Sequence, residues 1–226
     1  MISTSKIFFD YRRAIRLQKI LASKALRETH NAPLISDEDI KYVVGVDAAY
    51  SKGMMYGVAV LIDYPQGNLL RYSVVEKKPP IPYVPGLLMF REAPAYISAI
   101  KKLGVKPDIV VVDGHGLSHP RALGIATHIG LVLGVPSIGV AKKKLFGEIV
   151  VEDNEEYLVA HGLRVARIIT HRNNTLYISI GYKIRLEDAY RIIKNYLRPQ
   201  YKLPIPTALA DQLSKKIAHS RKKHRL

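Results

Sequence analysis

Residues 108 to 113, DIVVVD, constrain the fold of this chain more than any other stretch. Isoleucine and three valines in a row favour extended backbone, because branching at Cβ suits a pleated strand. The run has no polar alternation, so such a strand needs apolar cover on both faces. That is the situation in parallel sheets of α/β proteins. The acid that ends it is followed at once by Gly-His-Gly, which frees the backbone just where a strand leaves a sheet.

The rest of the chain supplies partners for that strand. KYVVGVDAAYS (41–51), MMYGVAVLID (54–63) and LLRYSVVEK (69–77) read as three strands with short connections, an antiparallel meander. A proline-rich loop, KPPIPYVPG (78–86), leads into LLMFREAPAYISAIKKLG, a helix that Pro94 is expected to kink or restart. After DIVVVD come a helix, HPRALGIATHIGLVLG (119–134), and a strand, PSIGVAKK (136–143). Strands alternating with helices predict parallel pairing with right-handed crossovers. RVARIIT and TLYISIGY (164–182) read as a hairpin, and two helices follow, LEDAYRIIKNYL and a basic one from about Thr207. Residues 10–27 predict an amphipathic helix with Ala14, Ile15, Leu17, Leu21 and Ala25 facing inward. No repeat or linker divides residues 1–226, so the expectation is a single α/β domain. Its mixed sheet, a three-strand meander followed by parallel strands, is flanked by helices.

The charge balance narrows the partners. There are 35 Lys+Arg against 19 Asp+Glu, a net +16. That favours a polyanion, nucleic acid before membrane; the plainer reading is a generally basic protein. With no cysteine, thiolate metal sites and disulfides are excluded. The start, MISTSKIFFDYRRAIR, lacks the apolar core of a signal peptide. The apolar stretch 123–141 is split at Gly-Val-Pro into helix and strand. The expectation is a soluble, cytoplasmic monomer.

Asp47 and Asp113 each end an apolar strand, VVGVD and VVVD. Ligands of α/β sheets bind outside the carboxyl ends of the strands. If the two strands are neighbours, their acids converge and repel unless a cation joins them. Mg²⁺ suits one or two carboxylates plus water and phosphate oxygens. Either acid alone reads as a turn residue or cap. Glu92, in FREAP, and Asp211, in ALADQL, are further candidates; Asp211 taken alone reads as a solvated helix acid lying off the Leu209–Leu213–Ile217 stripe. Gly114 and Gly116 allow close approach to a base or a phosphate. His119, at the expected helix start, is a candidate phosphate contact or a capping residue. Of the three lysines at 142–144, Lys142 stands nearest the strand end.

VVGVDAAYS, PYVPGLLMFRE, VVDGHGLSHPRALGIATHIG and PSIGVAKKKL, in this order, resemble the endonuclease V family of deoxyinosine-directed nucleases. The resemblance covers about residues 40 to 145, and TALADQLSKK is similar to the family's C-terminal helix. It implies a ribonuclease H-like fold and Mg²⁺, with Mn²⁺ as substitute, held by Asp47 and Asp113. It also implies that Glu92 joins the acidic cluster, that Asp211 adds a further acid, and that Lys142 stands near the scissile phosphate. Tyr83, stiffened by Pro82 and Pro85, matches a wedge that fills the gap left by a flipped base, with Gly114 and His119 beside the lesion. The partner implied is DNA carrying deoxyinosine or other deaminated bases. The reaction implied is hydrolysis of the second phosphodiester 3′ to the lesion, leaving 3′-hydroxyl and 5′-phosphate ends. The competing readings are an inosine-specific RNA endonuclease, another ribonuclease H-like nuclease such as a junction resolvase, and a non-catalytic nucleic-acid-binding protein whose acids are structural.

Overall fold

The computed structural model describes residues 9–223. The first eight residues and residues 224–226, which end the basic tail, lie outside the described residues. One sheet of nine strands runs through the molecule. The meander is as expected: β1 (Tyr42–Ser51), β2 (Met54–Asp63) and β3 (Leu69–Lys77) pair antiparallel. β4 (Ile109–Asp113) lies parallel to β1, and β5 (Ser137–Ala141) parallel to β4. All four apolar residues of β4 are fully buried, as a strand covered on both faces requires.

Beyond β5 the sheet turns antiparallel. β6 (Glu148–Glu152), β7 (Glu155–Ala160), β8 (Leu163–His171) and β9 (Asn174–Tyr182) follow, and their order beside β5 is β9-β8-β7-β6. The β8–β9 hairpin was legible in the sequence; β6 and β7 were not. Their turn, Asp153-Asn154, has both residues at positive φ, the pattern of a tight hairpin. Acids at 148, 152, 155 and 156 break the hydrophobic alternation that would have marked these strands.

Among the described residues five α-helices cover the faces. α1 (Tyr11–His30) is capped by Asp10, whose carboxylate accepts from the Arg13 amide at 3.0 Å. Its buried face is Ala14, Gln18, Ala22, Ala25 and Thr29, while Leu17 is 44% exposed. The expected face was thus displaced: small residues let the helix approach, and a polar residue sits at its centre. α2 (Leu88–Lys102) runs as one helix through Pro94. α3 (Ile125–Leu133) starts later than the sequence predicts, because residues 119–124 form turns with Ala122 at φ 50°. α4 (Leu186–Lys194) and α5 (Ile205–Lys223) complete the set.

Alternation along the strands separates the helices that matter for the site. A Cβ on Gly57 would meet the Ala95 methyl of α2 at 2.8 Å, and one on Gly45 would meet the Pro206 carbonyl of α5 at 2.1 Å. In the β1–β2 register Gly45 and Gly57 point to opposite faces, so α2 and α5 lie on opposite sides of the sheet. Asp47, two residues after Gly45, shares the α5 face. Gly45→Ala forces α5 off the sheet, since the obstacle is backbone. The expected cost in urea unfolding is roughly 2 kcal/mol or more; an unchanged midpoint would show that the helix docks without that contact.

Candidate active site

The parallel register pairs Val46 with Val112, so the next residues, Asp47 and Asp113, emerge side by side where that ladder ends. β4 stops at Asp113, whereas β1 continues to Ser51 against β2, so Asp47 does not end its strand as the sequence suggested. Adjacent strands are about 4.8 Å apart, so two carboxylates on one face of such a pair must meet. α5 then brings Asp211 down onto them. One oxygen from each of Asp47, Asp113 and Asp211 lies within 4.8 Å of the others. Asp211 therefore belongs to the cluster and is not a solvated helix acid. The buried face of α5 includes Ala210, Ser214 and Ala218, while Leu209, Leu213 and Ile217 are only partly buried, and this rotation aims Asp211 at the strand ends.

Three acids at this separation repel unless compensated. Burial pushes the Asp47 carboxyl up to about 7, the charge of Asp113 adds to this, and Asp211 contributes further; a hydrogen bond from the Ser214 hydroxyl at 2.8 Å acts the other way. Lys142 Nζ lies 3.0 Å from Asp113 Oδ2. Burial disfavours its charge, but Asp113, with smaller help from Asp211 and Asp47, leaves the ammonium more strongly protonated than usual. Lys215 pairs with Asp211 at 2.7 Å. Each acid thus already has a positive or hydrogen-bonding partner. An all-oxygen donor set of three carboxylates fits a hard divalent cation such as Mg²⁺.

Glu92 stands apart from this triad. It rises from α2, on the other side of the sheet, and is held by the Tyr50 hydroxyl at 2.6 Å and the Tyr96 hydroxyl at 3.0 Å. Burial raises its pKa, the tyrosine hydrogen bonds oppose that, and the charge of Asp113 adds to it. Glu92 is therefore near the cluster without sharing its tight geometry.

A hollow begins one residue after Asp113. Gly114, His115, His119, Leu123, Gly124 and Ile125 line it, with Gln18, Gly86, Leu88, Met89 and Leu145. Both glycine amides of this loop are engaged: Gly114 N donates to Val140 O and Gly116 N to Ser179 Oγ, and Leu117 N donates to Ile180 O. The first turn of α3 is likewise engaged, with Ala126 N donating to His115 O. His119 is buried, and burial with the nearby Arg121 charge pulls its pKa down to about 4. It forms part of the pocket wall. His115 contacts Ser118 Oγ and Lys143 O, each at 2.9 Å.

Tyr83 projects beside this hollow on the proline loop. Its ring is 67% exposed, between exposed Pro82 and Pro85, while Ile81 and Leu87 anchor the loop in the interior. Ser214, Lys215, Tyr50, Tyr96, Gln18 and Arg121 were not singled out from the sequence. Tyr50, Tyr96, Ser214, Lys215 and Arg121 each stand within four residues of a candidate, Asp47, Glu92, Asp211 or His119, a local signal that was open to reading. Only Gln18 is distant in sequence and meets the site through packing.

The strand order and the acids just beyond the parallel ladder of β1 and β4 place the chain in the ribonuclease H-like class. A sequence profile of the Endonuclease V family matches residues 23–212, and the chain belongs to that family. It is 53% identical over 208 residues to endonuclease V of Desulfurococcus amylolyticus, covering 92% of this chain and 95% of that protein. Its fold is similar to the crystal structure of endonuclease V from Bacillus subtilis, with a TM-score of 0.84 at 28% identity over 96% of each chain. It is also similar to Ciona intestinalis endonuclease V, solved with a 24mer DNA containing an inosine followed by a ribo-adenosine. There the TM-score is 0.79 at 23% identity, over 92% of this chain and 97% of that one.

Asp47 supplies a test of the cluster in metal-free protein. Its carboxyl is raised from 3.8 to about 7 on folding, so between those values the folded state binds the proton more tightly than the unfolded state. Metal-free stability therefore falls as pH rises from about 4 to about 7, by roughly 4 kcal/mol at most. Asp47→Asn lacks this loss. In urea unfolding with EDTA, the variant is expected to gain on the parent as pH rises, and added Mg²⁺ to restore the parent. Parallel stability curves would show that the carboxylates do not crowd one another.

Proposed function

We propose that the protein is a Mg²⁺-dependent endonuclease that recognises deoxyinosine in DNA and hydrolyses the second phosphodiester 3′ to it, leaving 3′-hydroxyl and 5′-phosphate ends. The observation that carries this reading is the convergence of Asp47, Asp113 and Asp211 directly beside the hollow that starts at Gly114. Family membership supports it.

Asp47, Asp113 and Asp211 would hold the cation, which supplies Lewis-acid stabilisation of charge on the phosphate. The chain's own groups do the rest. Exposed Arg12, Arg13 and Lys19 of α1 and Lys215 and Lys216 of α5 bind the phosphate backbone, in a salt-dependent way. Tyr83, presented by Pro82 and Pro85, enters the base stack. The hypoxanthine turns into the hollow walled by Gly114 and His119, at low cost because its base pair is weak. A neutral His119 keeps that wall uncharged. Lys142 keeps its ammonium charged and meets the scissile phosphate from the Asp113 side. Glu92 joins the acids once its tyrosine partners release it.

A labelled duplex with one deoxyinosine, assayed with Mg²⁺, with Mn²⁺ and with EDTA, tests the reading. An undamaged duplex and an inosine RNA run beside it. The expected result is a metal-dependent nick 3′ of deoxyinosine, lost by more than about 100-fold in Asp113→Ala. Cutting of the RNA alone would move the protein to inosine RNA, and binding without any cutting would make the acids structural. Tyr83→Ala is expected to weaken binding to the lesion duplex roughly tenfold and to the undamaged duplex far less, given the worth of one aromatic–base stack. Equal losses on both duplexes would remove the wedge.

A further inference from the structure

Gln18 has no part in the chemistry above, yet it is 1% exposed on a helix whose outer face is charged. A buried amide is costly unless its groups are bonded, and here they are. Gln18 Nε2 donates to Gly86 O at 2.9 Å and to Leu123 O at 3.2 Å. Its Oε1 accepts from Arg121 Nε at 2.6 Å. The same arginine donates from Nη2 to Gly86 O at 2.7 Å.

His119 joins the same carbonyl. Its Nδ1 accepts from the Arg121 amide at 3.1 Å, so in the neutral ring the hydrogen sits on Nε2, which lies 3.2 Å from Gly86 O. Three donors thus converge on one oxygen that has two lone pairs. Gly86 is the last residue of the Tyr83 loop and holds φ +75°; a Cβ there would stand 2.7 Å from Arg121 Nη2. At the loop's other end Arg91 grips the carbonyl of buried Ile81. Tyr83 is carried between two fixed points.

We infer that Gln18 is a positioning residue that clamps the end of the Tyr83 loop to the wall of the lesion pocket, and so sets the distance between wedge and pocket. This rests on the wedge and pocket roles proposed above. Gln18 also lines that pocket, but both of its N–H groups are committed, so it does not read the base; it acts through Gly86. It precedes residue 23, where the family profile begins to match.

Gln18→Met keeps the length of the side chain and removes all three of its hydrogen bonds. Arg121→Met removes the other half of the clamp, should the first variant fold poorly. Two readouts separate the clamp from its consequence. Hydrogen exchange over residues 78–87 reports the loop directly. Single-turnover cleavage at saturating enzyme compares deoxyinosine in a duplex, where the base must be pried out, with deoxyinosine in a single strand. The expected result is faster exchange in the loop, with duplex cleavage slowed on the order of tenfold more than single-strand cleavage.

Unchanged exchange in both variants would overturn the clamp. Faster exchange with both substrates slowed alike would overturn its role in the wedge and leave a merely structural amide. If the parent nicks neither substrate, the proposed function fails, and the exchange result still decides the clamp.

Discussion

Two parallel strands in register, each carrying an aspartate where their shared ladder ends, set a problem that the surrounding structure answers. Asp47 and Asp113 face the same way on neighbouring strands and repel. Packing around them supplies the compensation: α5 lies across β1 close enough that only glycine fits at position 45, and it carries Ser214 and Lys215 along with the third acid. Lys142, at the end of the next strand, covers Asp113. The cluster is thus a balance of negative charge against a small set of positive and hydroxyl groups, poised for a divalent cation.

The same strand ends organise recognition. The backbone leaves β4 through Gly114, so the residue after a proposed ligand is already part of the hollow's wall. Apolar side chains, a neutral histidine and the bonded amides of Gly114 and Gly124 contribute to that wall. It suits a flat, uncharged base better than a phosphate. The Tyr83 loop meets it at Gly86, where Gln18, Arg121 and His119 converge. Chemistry and recognition are thereby built on adjoining segments, with one glycine loop between them.

The expectations that failed share a cause. The Gly-rich loop was read as letting its backbone amides approach a base or a phosphate, and the helix after it as starting at His119. In the folded chain those amides bond to β5, β9 and one another, because the loop is packed under the sheet's end. On α1, Leu17 was expected inside, yet it is exposed and Gln18 is buried, because small residues, not large ones, fill the contact and because Gly86, Leu123 and Arg121 satisfy the amide. Local pattern ranks residues by polarity, and it has no access to partners about 70 and 100 residues away.

The sequence by itself determined the elements whose signal is local. These are the unbroken β4 run, the meander, the β8–β9 hairpin, the acid that ends β4 and the proline-stiffened tyrosine. Hydrophobic period and backbone restriction act over a few residues, and those are printed in the chain. Only the tertiary structure decided that Asp211 joins Asp47 and Asp113 while Glu92 is held by Tyr50 and Tyr96. Only it showed which polar groups are spent on the fold. Those outcomes depend on which face of the sheet each helix covers, and that is settled by strand register and by the close approach allowed at Gly45 and Gly57.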